Sequence, residues 1–141
     1  MSRRDILIDS GPLVAFLNER DEHHQICLEE AKRLRGQFLT SWSVVTEAAH
    51  LSKRQAGAVH KLLMWIQTSE LRILQLSEQD TPGIADILDR YGDQGFDFAD
   101  ATLMYLSDRD DISTIFTIDR RHFSIFRTLH RKSLNIVPAS L

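Results

Sequence analysis

Short apolar runs alternate along this chain with longer segments of helical periodicity. The run at residues 6–8 is rich in β-branched side chains and stops at Asp9, a pattern that predicts a short buried strand. Pro12 follows, and because proline is favoured in the first turn of a helix we expect a helix that ends near Asn18. Apolar residues then recur at helical spacing from 27 to 34, which predicts a second helix.

The same alternation continues to the end of the chain, with Gly36 expected to end the second helix. Further strands are expected at 37–40, 71–76, 114–118 and Asn135–Val137. Further helices are expected at Trp42–Leu51, 58–68 and 97–107, with one more that is capped by Ser77 and ends near Gly92. Strands that alternate with helices favour right-handed crossovers. We therefore expect an α/β fold, a three-layer α/β/α sandwich with a mostly parallel central sheet, in one domain over residues 1–141.

Composition restricts the class of protein. The chain has 141 residues, of which 43% are hydrophobic, and a size of this order fits one domain. Its single cysteine, Cys27, excludes an internal disulfide and a cysteine-rich zinc site. No apolar run approaches the roughly 20 residues that cross a bilayer, and Asp9 interrupts the first run too early for a signal-peptide core. We therefore expect a cytoplasmic protein with no membrane segment.

The distribution of charge is more informative than the total. The net charge of −3 argues mildly against a nucleic-acid binder, since such proteins are usually basic. No acid follows Asp119, however, and the remaining segment carries five basic residues: Arg120, Arg121, Arg127, Arg131 and Lys132. A segment of this kind can contact phosphates, although a solvated basic tail is the commoner case.

Two acids come at the ends of expected strands. Asp9 follows the first strand and Asp119 follows the fourth. In an open parallel sheet, ligands bind outside the carboxyl ends of the strands, so these two positions are candidate site residues. Taken singly, each has a structural alternative, because Asp9 can cap the next helix and Asp119 can shape a turn.

Three further acids lie on expected helices. Glu47 borders the apolar stripe of its helix, and a carboxylate drawn into a partly buried place normally has a cation partner. Asp97 and Asp100 share one side of a first helical turn, where they repel each other unless a cation joins them. An exposed Glu47 and a helix cap formed by Asp97 and Asp100 are the structural alternatives.

Together the five acids form a candidate site made only of oxygen ligands. Carboxylates suit Mg²⁺ or Mn²⁺, whereas zinc favours His and Cys. Leaving these five out of the count sets 15 acids against 17 basic residues, a net charge of +2. The remaining surface would then be slightly basic, which weakens the objection to a nucleic-acid substrate.

Four motifs around these acids resemble the PIN-domain nucleases, most closely the VapC-like toxins of toxin–antitoxin pairs. They are DSGPLVA at 9–15, Glu47 on its helix, DFADA at 97–101 and TIDRRHF at 117–123. The acidic and histidine-containing stretch at 21–24 is similar to one that often follows the first helix in that group. The likeness covers nearly the whole chain, and the four motifs come in the family's order.

The resemblance implies an endoribonuclease that depends on Mg²⁺ or Mn²⁺ and hydrolyses RNA phosphodiester bonds. Asp9, Glu47, Asp100 and Asp119 match the family's acidic quartet and would hold the metal, and Asp97 matches a frequent auxiliary acid. It also implies partners: an RNA substrate, a small antitoxin protein and a second copy of the chain in a homodimer. A catalytically idle PIN scaffold that binds RNA or a protein is the alternative of a different class.

Other candidate residues have ordinary uses. His122 follows Asp119 closely enough to approach a substrate, although a structural role is commoner for a lone histidine. Phe96, Phe98 and Phe123 can stack a base, but core packing is the more frequent role of each.

Two other families with an acid after the first strand fit less well. A haloacid-dehalogenase phosphatase is disfavoured because it needs an acid where Gly11 stands. A response-regulator receiver is disfavoured because it needs an acid after a middle strand and a late lysine, whereas 71–76 is followed by Ser77 and no lysine lies between Lys61 and Lys132.

Overall fold

A parallel sheet with helices packed on both of its faces forms the molecule, as the alternation of strands and helices predicts. The computed structural model describes residues 4–129 and 132–141, so the basic residues His130 and Arg131 lie outside the described residues. The strands are β1 (Arg4–Ile8), β2 (Gly36–Thr40), β3 (Leu71–Ile73), β4 (Thr114–Phe116) and β5 (Asn135–Val137). The helices are α1 (Ser10–Leu17), α2 (His24–Arg33), α3 (Trp42–Leu51), α4 (Ala58–Gln67), α5 (Thr81–Tyr91), α6 (Phe98–Arg109) and α7 (Arg120–Ile125).

The strand order places β1 at the centre of the sheet. The order is β3-β2-β1-β4-β5, and every pair of neighbours is parallel. Ile6, Leu7 and Ile8 are all fully buried, which requires helices on both faces of β1. The chain moves from β1 to one side through β2 and β3, and β4 and β5 lie on the other side. The point at which the order reverses, between β1 and β4, is where ligands bind in open α/β sheets.

Two strands are shorter than the hydrophobic pattern predicts. The expected strand at 71–76 ends at Ile73, because its partner β2 ends at Thr40 opposite that residue. The expected strand at 114–118 ends at Phe116, opposite Ile8 at the end of β1. Beyond these points, the apolar side chains of Leu74, Leu76 and Ile118 still pack against the core.

Two helical segments also differ from expectation. Ser77 caps a single turn of 3-10 helix at Glu78–Asp80, and α5 begins only at Thr81. Helix α7 was not expected, since its six residues are too few to show an apolar period.

Among the described residues, no helix is both long enough and apolar enough to cross a membrane.

Candidate active site

All five acids singled out in the sequence line one pocket of about 370 Å³ at the carboxyl ends of β1 and β4. A sixth acid, Asp21, lines it as well. The pocket lies at the point where the strand order reverses. The carboxylates come from different parts of the chain: Asp9, Asp21, Glu47, Asp97, Asp100 and Asp119.

Asp9 is buried immediately after β1 and is held from two sides. Its Oδ1 accepts a hydrogen bond of 2.8 Å from the Ser10 backbone N–H, and its Oδ2 accepts one of 2.9 Å from the Thr117 hydroxyl. Burial raises the pKa of Asp9 from 3.8 to about 6, against the lowering effect of these two bonds, and the charges of Glu47 and Asp97 add to the rise. The carboxylate is therefore fixed in place, and no positively charged side chain stabilises its ionised form.

Asp97 and Asp100 form the capping box of α6. The Asp100 backbone N–H donates to Oδ1 of Asp97 at 2.8 Å, and the Asp97 N–H donates to Oδ2 of Asp100 at 3.4 Å. Burial raises the pKa of Asp100 to about 8, and the charges of Asp9 and Asp97 contribute to that rise. The two acids thus cap the start of α6, as the structural alternative predicts. Both side chains nevertheless line the pocket as well.

Glu47 is placed by the start of α3, which is locked to α6. Ser41 caps α3 by accepting a 3.3 Å hydrogen bond from the Val44 N–H, and its hydroxyl lies 2.8 Å from that of Thr102 on α6. Both hydroxyl-bearing residues are fully buried. The helices that carry Glu47 and Asp100 are therefore joined by a contact between the cap of α3 and the second turn of α6.

Asp119 lies beyond β4 and begins α7. Its backbone N–H donates to the Thr117 hydroxyl at 3.0 Å, so the same hydroxyl that holds Asp9 also holds this turn. The Asp119 side chain caps α7 by accepting a 3.5 Å bond from the His122 N–H, and it remains 48% exposed. The predicted turn role and the place in the pocket are again both present.

His122 belongs to the pocket, although its sequence context favours an ordinary structural role. Its Nδ1 lies 2.9 Å from Oδ2 of Asp119 and 3.3 Å from Oδ2 of Asp100. The ring packs edge-on against Phe96, with the centroids 4.9 Å apart. An acid that caps a short helix brings the residue three positions later beside it, so recognising Asp119 as a cap would have indicated His122.

Comparison with known proteins decides the family. The PIN-domain model matches residues 6–128, which is most of the chain. The chain belongs to the PIN-domain family. The resemblance stated from the four motifs is confirmed, and the phosphatase and receiver alternatives are excluded.

Two relatives give the PIN assignment more detail. The chain is 27% identical to ribonuclease VapC26 of Mycobacterium tuberculosis over 135 residues, a match that covers 94% of this chain and all of the relative. The crystal structure of VapC20 from the same organism, described as a Sarcin-Ricin loop cleaving toxin, superposes with a TM-score of 0.75 at 18% identity. That superposition covers 83% of this chain and 92% of VapC20, and it shows that the two share a fold.

The donor chemistry of the PIN pocket fits a hard divalent cation. Among the described residues, six carboxylates and one histidine line it, and neither lysine nor arginine does. Within residues 4–129 and 132–141, no three His, Cys, Asp or Glu side chains converge closely enough to hold one ion as they stand. The fit therefore rests on the oxygen donors and on their uncompensated charge, not on a preformed coordination shell.

Part of the basic segment after Asp119 is engaged by the protein itself. The Arg120 guanidinium donates to the Pro138 carbonyl, and Arg127 donates to the carbonyls of Ser124 and Phe126 at 2.7 and 2.9 Å. Two arginines of the segment that could contact phosphates therefore have structural partners within the protein.

The three phenylalanines divide between core and surface. Phe96 and Phe123 are buried, as core packing predicts. Phe98 is 56% exposed at the start of α6, so the prediction of a core position was wrong for it. The first residue of a helix has no preceding turn to pack against.

We expect Thr102→Val to lower the free energy of unfolding by about 1–2 kcal/mol, because it removes the α6 partner of the buried Ser41 hydroxyl, the shortest of that hydroxyl's hydrogen bonds. Thr46→Val is the matched control, since the Thr46 hydroxyl bonds only to the Trp42 carbonyl on an exposed part of α3. Urea denaturation measures both variants. Equal stability of the two would contradict the argument that the hydroxyl pair joins α3 to α6.

Proposed function

We propose that this protein is a metal-dependent endoribonuclease of the VapC type, acting as the toxin of a toxin–antitoxin pair. The observation that carries the proposal is a pocket with two buried carboxylates, Asp9 and Asp100. Among the described residues, no lysine or arginine lines this pocket to neutralise them. Membership of the PIN family and the likeness to a VapC ribonuclease support the same function.

In this proposal Asp9 and Asp100 would hold the ion and Asp119 would complete its site. A bound Mg²⁺ or Mn²⁺ supplies Lewis-acid activation of the scissile phosphate and of water. Thr117 keeps Asp9 oriented through its hydroxyl, and the capping box keeps Asp100 oriented through the Asp97 N–H. Glu47, on the facing helix, holds a second ion or orients the attacking water. In-line attack by this water would form a new bond to phosphorus and break the bond from phosphorus to the 3′-oxygen, giving a 3′-hydroxyl and a 5′-phosphate.

The proposed partners follow from the charge of the pocket. An antitoxin that places an arginine among these carboxylates would neutralise them and block the site, because arginine binds carboxylates with paired hydrogen bonds. The proposal also includes a homodimer, which the family resemblance implies, and the cytoplasmic location expected from the sequence. Exposed apolar residues on α3 and α4 offer surface for protein contacts: Leu51, Val59, Leu63 and Met64.

The test is cleavage of a mixed RNA pool by purified, antitoxin-free protein. We expect cutting with Mg²⁺ or Mn²⁺, none with EDTA, and 5′-phosphate ends on the products. Asp89→Asn should cut like the wild type and is the control for substitutions of the pocket acids, since Asp89 is exposed on α5, away from the pocket. A folded protein that neither cuts the pool nor binds Mn²⁺ would refute the nuclease and favour the idle scaffold.

A further inference from the structure

His122 has an unusual environment for a histidine. Its Nδ1 is shielded from solvent and makes no aligned hydrogen bond, although two carboxylate oxygens lie within 3.3 Å of it. Buried polar atoms are normally hydrogen-bonded, so an atom left in this position calls for an explanation. The two acids beside it, Asp100 and Asp119, come from α6 and from the turn after β4.

The ring is held in place from several directions. The Asp119 carboxylate meets both the backbone N–H and the ring of His122, which fixes the first turn of α7. Phe96, which is 7% exposed, supports the ring edge-on. The imidazole is therefore a rigid element, whereas the Asp119 side chain is half exposed and has few other restraints.

We propose that His122 is a positioning residue for the metal site. Its Nδ1–H donates to the carboxylates of Asp100 and Asp119 and holds these acids at the spacing that a shared cation needs. A small rotation of the half-exposed Asp119 carboxylate aligns its bond with the fixed ring, since the oxygens of both acids are already within hydrogen-bonding distance of Nδ1. Such outer-shell donors orient metal ligands in many proteins. This inference rests on the proposed function.

The test is Mn²⁺ affinity, measured by isothermal titration in the absence of RNA. His122→Ala should weaken binding about 10-fold, the usual size of an outer-shell effect. His122→Asn keeps an N–H near the place of Nδ1 and should restore affinity to within about threefold of wild type. His122→Gln places its amide near Nε2 instead, so it should bind as weakly as the alanine variant.

Ser124→Ala is the matched control on α7, because Ser124 is exposed and its hydroxyl donates only to the Arg121 carbonyl. Wild-type affinity in His122→Ala, or rescue by Gln and not by Asn, would overturn the positioning role. A loss confined to Zn²⁺ and Ni²⁺ would overturn it too, because it would identify the imidazole as a direct ligand.

The two proposals fail in different ways. If wild-type protein binds Mn²⁺ and cuts RNA while His122→Ala binds equally well, only the role of His122 is overturned. If the wild type neither binds Mn²⁺ nor cuts, the nuclease proposal falls and the His122 proposal falls with it. Should the alanine variant unfold, the comparison of Asn with Gln still decides the question.

Discussion

Asp100→Asn should lower metal-dependent RNA cleavage by at least about 100-fold while the protein stays folded. The substitution removes one negative charge from the two buried carboxylates and keeps nearly the same shape. The amide carbonyl that it introduces can still accept the hydrogen bond of the Asp97 N–H, so the start of α6 is preserved. Single-turnover cleavage at saturating Mn²⁺ measures the effect.

Asp9→Asn should lower cleavage to a similar extent but carries a local cost. Both carboxylate oxygens of Asp9 accept hydrogen bonds, and the Thr117 hydroxyl already accepts one from the Asp119 N–H. An amide nitrogen facing Thr117 leaves that hydroxyl proton without its acceptor. Asp100→Asn is therefore the cleaner variant, and Asp89→Asn is the control for both. Near-wild-type cleavage by either folded variant would remove that acid from the site.

Much of this site could be predicted because local signals place its residues. The apolar run before Asp9 is fully buried in β1, and a strand that ends in an acid puts that acid at the edge of the sheet. Helix α3 begins where expected because Ser41 is a good cap, and this fixes Glu47 on the pocket side. The capping box of α6 is a sequence pattern as well.

The parts that failed depend on partners distant in sequence. Leu74 continues the apolar pattern of β3, but its N–H donates to the carbonyl of Thr40, the last residue of β2. No pattern within 71–76 reveals that the neighbouring strand stops there. The contact of His122 with Asp100 likewise joins residues from two elements, and no local signal reports it.

Asp100→Asn should also stabilise the metal-free protein at pH 8, by on the order of 1–2 kcal/mol. The pKa of Asp100 is raised to about 8 and that of Asp9 to about 6, both above the ordinary 3.8, because burial and neighbouring acids disfavour the charged forms. Above pH 4 the unfolded chain loses both protons, whereas the folded protein retains the Asp9 proton up to about pH 6 and the Asp100 proton up to about pH 8. The unfolded state then binds fewer protons, so the free energy of unfolding falls as the pH rises.

Thermal and urea denaturation at pH 4.5 and pH 8, in EDTA, measure this difference. The advantage of Asp100→Asn over wild type should grow from the lower to the higher pH, whereas Asp89→Asn should follow wild type at both. Saturating Mg²⁺ should reverse the order, because an ion that binds only the folded state stabilises it and the variant has lost a ligand. A variant less stable than wild type in EDTA at pH 8 would show that Asp100 contributes to folding as an ionised helix cap. The same buried charge that weakens the metal-free fold is, in this interpretation, what gives the pocket its affinity for a cation.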